Sequence, residues 1–233
     1  MSDRASDAVV IGGGPNGLAA AIAIAQAGRT VRLFEAHDTV GGGTRSAELL
    51  ERGTQHDVCS AVQPMARSSP FFTGLGLERH GLDWIEPEIQ LAHPFDDGGA
   101  ALVFRDIQRT TETFEDDRDA RAYARWVRPV VADWPLIAGT LLGPLRPLAT
   151  LRHPLAFARF GLPALLPIDV VARRFRSPRA RALLAGCGAH SFLPLDAPMT
   201  SAIGLALLVS AHAVGWPLPR GGSRRIAEAL AAV

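Results

Sequence analysis

Gly12, Gly14 and Gly17 follow one another as G-x-G-x-x-G, the spacing of a phosphate cradle. Each glycine answers a different need. Gly12 allows a tight turn, Gly14 removes a side chain where backbone must approach a pyrophosphate, and Gly17 lets a helix lie close to a sheet. Glu35 stands near the position, ~20 residues on, where an acid meets a ribose. Its carboxylate can accept hydrogen bonds from both ribose hydroxyls and would repel a 2′-phosphate, which argues against NADP. Beyond it, Gly41, Gly42 and Gly43 read either as a plain flexible turn or as a second close approach of backbone to a bound dinucleotide. Arg45 reads either as a surface arginine or as a guanidinium donating charge-assisted hydrogen bonds to a diphosphate.

These residues need elements to hold them. Ala8–Ile11 is a short apolar run, as expected of a strand buried on both faces. Pro15 suits a first helical turn, where its missing N–H costs nothing. The Ala-rich stretch over 15–27, with Leu18, Ile22 and Ile24, predicts a helix that packs closely on a sheet, stopped by Gly28. Residues 30–34 predict a second parallel strand ending at Glu35. Strand, glycines, capped helix, strand and acid in order make a specific signal, where a lone G-x-G-x-x-G is weak.

The chain has 233 residues, 48% hydrophobic and 20% charged, the composition of a globular protein. A net charge of +1 gives no broad basic face, so nucleic acid is not an expected partner. All 24 basic residues are Arg. Cys59 and Cys187 make neither a disulfide framework nor a metal box, and the histidines are scattered, so no metal is expected. The start is polar and lacks the pattern of a signal peptide. The apolar centre at 202–209 is too short to span a membrane and predicts a buried helix in a cytoplasmic protein.

In the middle of the chain, Asp96-Asp97-Gly98-Gly99 between apolar runs over 88–95 and 100–105 predicts a hairpin. Asp116 and Asp117 precede a helix predicted over 119–131 and read as its caps rather than as catalytic carboxylates. The prolines from Pro135 to Pro167 predict short helices around a greasy cavity. Arg146, Arg152 and Arg159, followed by Arg173, Arg174, Arg176, Arg179 and Arg181, read either as a solvated basic face or as a surface resting peripherally on an anionic membrane. Further helices are predicted over 179–190 and 199–214. No local nucleophile motif such as G-x-S-x-G is present.

The run from Val9 through Arg45 resembles the amino-terminal FAD motif of flavin amine oxidases and phytoene desaturases. There the acid is followed by a Gly-Gly pair and often an Arg, matched here by Glu35, Gly41, Gly42 and Arg45. The segment over 56–106, from HDVCSAVQPM to ALVFRD, resembles the phytoene dehydrogenase-related oxidoreductases, a branch that includes pyridine nucleotide-disulfide oxidoreductase domain proteins. GWPLPRGG before a helix resembles the point where their chain returns from the substrate domain to the flavin domain. The resemblance implies FAD, bound by Gly12, Gly14, Pro15, Gly17, Glu35, Gly41, Gly42 and Arg45, and a flavin accepting a hydride from an apolar or amine-type substrate. It assigns no catalytic side chain. Two other readings stand beside it: a truncated or split flavoenzyme needing a second chain for its other half, and an NAD-binding module.

The expected fold is α/β, a Rossmann-like FAD-binding domain of the glutathione-reductase type with an inserted α+β substrate domain, here incomplete. Residues 1–65 would open the FAD-binding domain, 66–214 would form the insertion, and 215–233 would return. A third sheet strand is expected near 46–50. Apolar faces meant for absent strands would be exposed, lowering stability.

Overall fold

The computed structural model describes residues 5–144 and 147–233 and divides them between two compact units. The first gathers Met1–Ala66, Phe71–Glu86 and Pro217–Val233; the second gathers Arg67–Pro70 and Pro87–Trp216. Every sheet among the described residues is two-stranded.

In the first unit, β1 (Ala8–Ile11) and β2 (Val31–Phe34) pair in parallel, Ala8 opposite Val31 and Ile11 opposite Phe34. The helix between them, α1 (Pro15–Gln26), begins with Pro15 and is followed by Gly28 at φ +74°, the left-handed turn that ends it. Short antiparallel ladders join β3 (Ser46–Ala47) to β4 (His56–Asp57) and β5 (Trp84–Ile85) to β8 (Leu218–Pro219). The last helix, α11 (Arg224–Ala231), contributes Ile226 and Leu230 to a core that also contains Leu18, Leu77 and Leu82. Two expectations fail here. β3 pairs with β4 and does not extend the parallel sheet. The strand β1 is not buried on both faces: Val9 is 56% and Ile11 87% exposed, because no layer of described residues covers that side.

The second unit is mainly helical. The hairpin forms as expected, with β6 (Ile89–Pro94) antiparallel to β7 (Ala100–Phe104) and the Gly99 amide bonded to Asp97 Oδ1. The short α2 (Pro64–Ser68) straddles the two units and α3 (Pro70–Leu75) falls almost wholly in the first, while α4 (Ile107–Thr111) follows the hairpin in the second. Asp116 caps α5 (Asp117–Leu141), accepting the Arg118 amide at 2.6 Å, as the capping reading expected. The helices α6 (Pro147–Arg152), α7 (Pro154–Ala164), α8 (Ile168–Ala172), α9 (Pro178–Ala189) and α10 (Thr200–Ala213) complete the unit.

The proline reading does not survive in α5, a 25-residue helix that runs through Pro129 and Pro135. An interior proline costs about 3 kcal/mol. Each large apolar side chain buried contributes about 1.5–3 kcal/mol, and Val127, Val130, Trp134 and Ile137 are all buried on this helix. The stripe outweighs the prolines. Around it, Tyr123 Oη lies 2.7 Å from His212 Nε2, and His212 Nδ1 lies 3.2 Å from the Arg105 carbonyl. A carbonyl only accepts, so Nδ1 carries the proton and the tyrosine hydroxyl donates to Nε2. Asp119 is buried and accepts the amides of Arg176 and Ser177.

Three arginines of the expected basic face are paired with acids. Arg159 pairs with Asp133, Arg173 with Asp169, and Arg179 with Asp97 and Glu115; Arg146 lies outside the described residues. No described helix is long and apolar enough to cross a membrane.

Candidate functional site

The amino-terminal glycines form a tight backbone knot. Gly12 sits at φ +98° and donates its amide to the Phe34 carbonyl at 2.7 Å, which ties the turn to the end of β2. Only glycine adopts that conformation without strain. A Cβ on Gly17 would collide with the Gly12 carbonyl oxygen, so the start of α1 closes on the turn as the spacing predicts. Gly14 caps α1 in an extended conformation with no side-chain hydrogen bond to the first turn. The amides there have no side-chain acceptor, which is the usual setting for an anion at a helix start.

Glu35 reaches back over this knot. Its Oε2 accepts the Gly13 amide at 2.6 Å and its Oε1 accepts the His37 amide at 3.0 Å. Those bonds, His37 first and Gly13 next, hold its carboxyl below the usual range, so it is ionised at neutral pH. Gly13 has no room for a side chain: a Cβ would meet Val40 at 2.9 Å and Glu35 Oε2 at 3.1 Å. The sequence motif does not demand glycine there, and the reason becomes visible only in the fold.

The second glycine run is not a plain turn. Gly41 donates its amide to the Gly13 carbonyl at 2.8 Å. Gly41 and Gly42 both have positive φ, and a Cβ on Gly42 would stand 3.0 Å from Gly14 Cα. The two loops touch backbone to backbone. Arg45 follows the short 3-10 turn Gly42–Thr44 and turns its Nε back onto the Gly42 carbonyl at 3.0 Å. Its guanidinium also borders a cleft of about 680 Å³, together with Val40, Ser46, Val58, Arg224 and Glu228. The structure therefore brings Gly12, Gly14, Pro15, Gly17, Glu35, Gly41, Gly42 and Arg45 into one region. The donor set fits a dinucleotide: amides for phosphate, a carboxylate for sugar hydroxyls, and glycines wherever backbone must come close.

Sequence reasoning missed the polar bundle that closes this unit. Asp57 Oδ1 accepts from Ser46 Oγ at 2.6 Å and from the Ser223 amide at 2.7 Å. Ser223 Oγ donates to the Ser60 carbonyl at 2.6 Å and receives Gln63 Nε2 at 3.1 Å. A Cβ on Gly222, at φ +92°, would strike Ser46 Oγ at 2.6 Å. The one local hint was the Gly221-Gly222 pair before a helix. Among the described residues, no group of His, Cys, Asp or Glu is arranged to hold a metal ion.

Comparison with known proteins agrees with this geometry. Residues 10–70 match the family model of the NAD(P)-binding Rossmann-like domain. Hydroxyneurosporene desaturase of Rhodobacter capsulatus is 28% identical over 98% of this chain and 47% of its own length. Pyridine nucleotide-disulfide oxidoreductase domain-containing protein 2 of Rattus norvegicus is 28% identical over 97% of this chain and 45% of its own. A solved structure of putrescine oxidase, 22% identical, superposes with a TM-score of 0.59 over 97% of this chain and 48% of that one. The chain thus spans about half the length of the relatives it matches, and residues 10–70 carry the Rossmann-like dinucleotide-binding fold. The expected resemblance to the desaturase and flavin amine oxidase group holds over that half.

Proposed function

We propose that this chain, related along its length to the amino-terminal half of the flavin-dependent desaturases and amine oxidases, builds the cofactor-binding half of an FAD-dependent oxidoreductase. The observation that carries the reading is the contact between the two glycine loops, Gly14 against Gly42, with Glu35 folded over the first loop. A module for a nicotinamide dinucleotide has no need of that second loop. When bound, FAD supplies the hydride-accepting chemistry.

The chain's own residues do the rest. Gly12, Gly14, Pro15 and Gly17 open α1 toward the diphosphate, and the first-turn amides orient it. Glu35, ionised, accepts the ribose hydroxyls. Gly41 and Gly42 let backbone approach from the other side, and Arg45 neutralises phosphate charge. Residues 1–65 and 215–233 serve the cofactor in this reading, together with Phe71–Glu86, which pack in the same unit, and the rest of 66–214 forms the substrate-facing insertion. Its apolar character suits an apolar or amine-type substrate.

A second reading concerns assembly. The exposed Val9, Ile11 and Phe34 face of the parallel pair seats a further layer of a flavin domain, supplied by more of the same polypeptide or by a partner chain.

The test is a visible absorption spectrum of the purified protein before and after FAD is added, repeated with Glu35→Ala. Structured flavin bands that weaken in the variant support the reading. Tight NAD binding with no flavin uptake would sink it.

A further inference from the structure

The arginines of the helical unit fall into two sets. Arg109, Arg159, Arg173 and Arg179 each have a carboxylate partner. Arg118, Arg121 and Arg125 have none among the described residues, although all three are exposed on α5. The acids nearest in sequence are otherwise engaged or stand apart. Asp116 caps the helix, Asp119 is buried on the Arg176 and Ser177 amides, and Asp117 makes no ion pair with Arg121 among the described residues.

The three arginines recur at i, i+3 and i+7 and so share one helix face, where like charges repel and weaken the helix. With Ala122 and Trp126 they line an open, shallow recess of about 480 Å³ on that face. The Trp126 ring packs on Phe175 with centroids 6.3 Å apart, which fixes the wall of the recess. It also brings the exposed Arg174 and Arg176 to the same end of α5, raising the local positive potential.

We infer that this recess binds a multiply charged phosphate group. Adjacent guanidinium forks match phosphate oxygens by paired, charge-assisted hydrogen bonds, and three cations without acids call for more than one negative charge. The same chemistry is offered by a soluble phosphate ester and by a phospholipid headgroup.

The experiment separates those sources. Pyrophosphate is titrated calorimetrically into the full chain, and the chain is sedimented with vesicles of phosphatidylcholine alone or mixed with phosphatidic acid, whose phosphomonoester carries more than one charge. Both are repeated with the triple variant Arg118→Gln/Arg121→Gln/Arg125→Gln and with Arg173→Gln, whose arginine is already paired. The expected result is binding in one arm that weakens about tenfold or more in the triple variant, is unchanged in Arg173→Gln, and falls with added salt. Pyrophosphate binding assigns a soluble ligand; binding only to vesicles containing phosphatidic acid assigns a headgroup. Binding in neither arm, or binding that survives the triple substitution, overturns the proposal. If the triple variant fails to fold by circular dichroism, the single variants Arg121→Gln and Arg125→Gln carry the same comparison with smaller losses.

Discussion

The two units of this molecule solve opposite problems with opposite materials. The unit that carries the glycine loops is built from backbone. Its turns depend on positive φ at Gly12, Gly41 and Gly42, its sheet has two strands, and it leaves Ile11 87% exposed. The helical unit is built from side chains. Trp134, Tyr123, Leu183 and Leu208 are almost wholly buried in it, and even its buried carboxylate, Asp119, is consumed in holding amides. A binding surface must keep donors unsatisfied until a ligand arrives, and a core must leave none unsatisfied. The contrast teaches that stability and recognition are drawn here from different parts of the chain.

Substitutions can break or sharpen that contrast. The largest expected effect is in the helical unit: Trp134→Ala loses a buried ring and its bond to Ser68 and should cost about 3–5 kcal/mol. Ile11→Ala should stay within about 0.5 kcal/mol. Equal shifts in denaturant midpoint would erase the distinction. Next, Asp119→Ala strands the Arg176 and Ser177 amides and should cost about 1.5–3 kcal/mol in the same assay. Gly42→Ala is smaller in stability, about 1–2 kcal/mol for a side chain in the left-handed region. Its Cβ also forces the glycine loops apart, so flavin uptake followed by absorbance should fall far more than the melting temperature does.

The smallest effect is a pH dependence. Burial lowers the pKa of His212, and of His93 likewise, so each is neutral in the folded state. The unfolded chain takes up these protons first. Stability is therefore fully present above the ordinary histidine value of about 6.5 and is lost as pH falls from there through the lowered folded values. The lowered carboxyl of Glu35 has the same sign in a more acidic window, below the usual carboxylate range. Thermal melts from pH 7.5 to 5 should thus weaken first through the helical unit, and a profile flat across that range would contradict the assignment.

What the sequence made legible was local. The turn at Gly12, the start of α1 at Pro15, the stop at Gly28 and the Asp-Gly hairpin all follow from the conformational limits of a few adjacent residues. Glu35 was found because one helix and one turn fix its distance from Gly17. The failures involve partners far apart in the chain. Nothing near Pro135 announces that Trp134 and Ile137 will be buried deeply enough to carry a helix past it. Nothing near Ser46 shows that it will meet Asp57 and Gly222 instead of joining β2. The partners of the basic run were hidden for the same reason, since Asp97 and Glu115 come to Arg179 only through the fold.

The discontinuity of the first unit has a kinetic consequence. Leu18 of α1 shares a core with Ile226 and Leu230 of α11, whereas the helical unit is nearly continuous from Pro87 to Trp216. A chain leaving the ribosome can assemble most of the helical unit before α11 has emerged. Closing the first unit then costs less loop entropy, because a folded insertion holds its two ends at a set separation in place of a long random coil. The order of synthesis thus lets the helical unit form before α11 closes the core around Leu18.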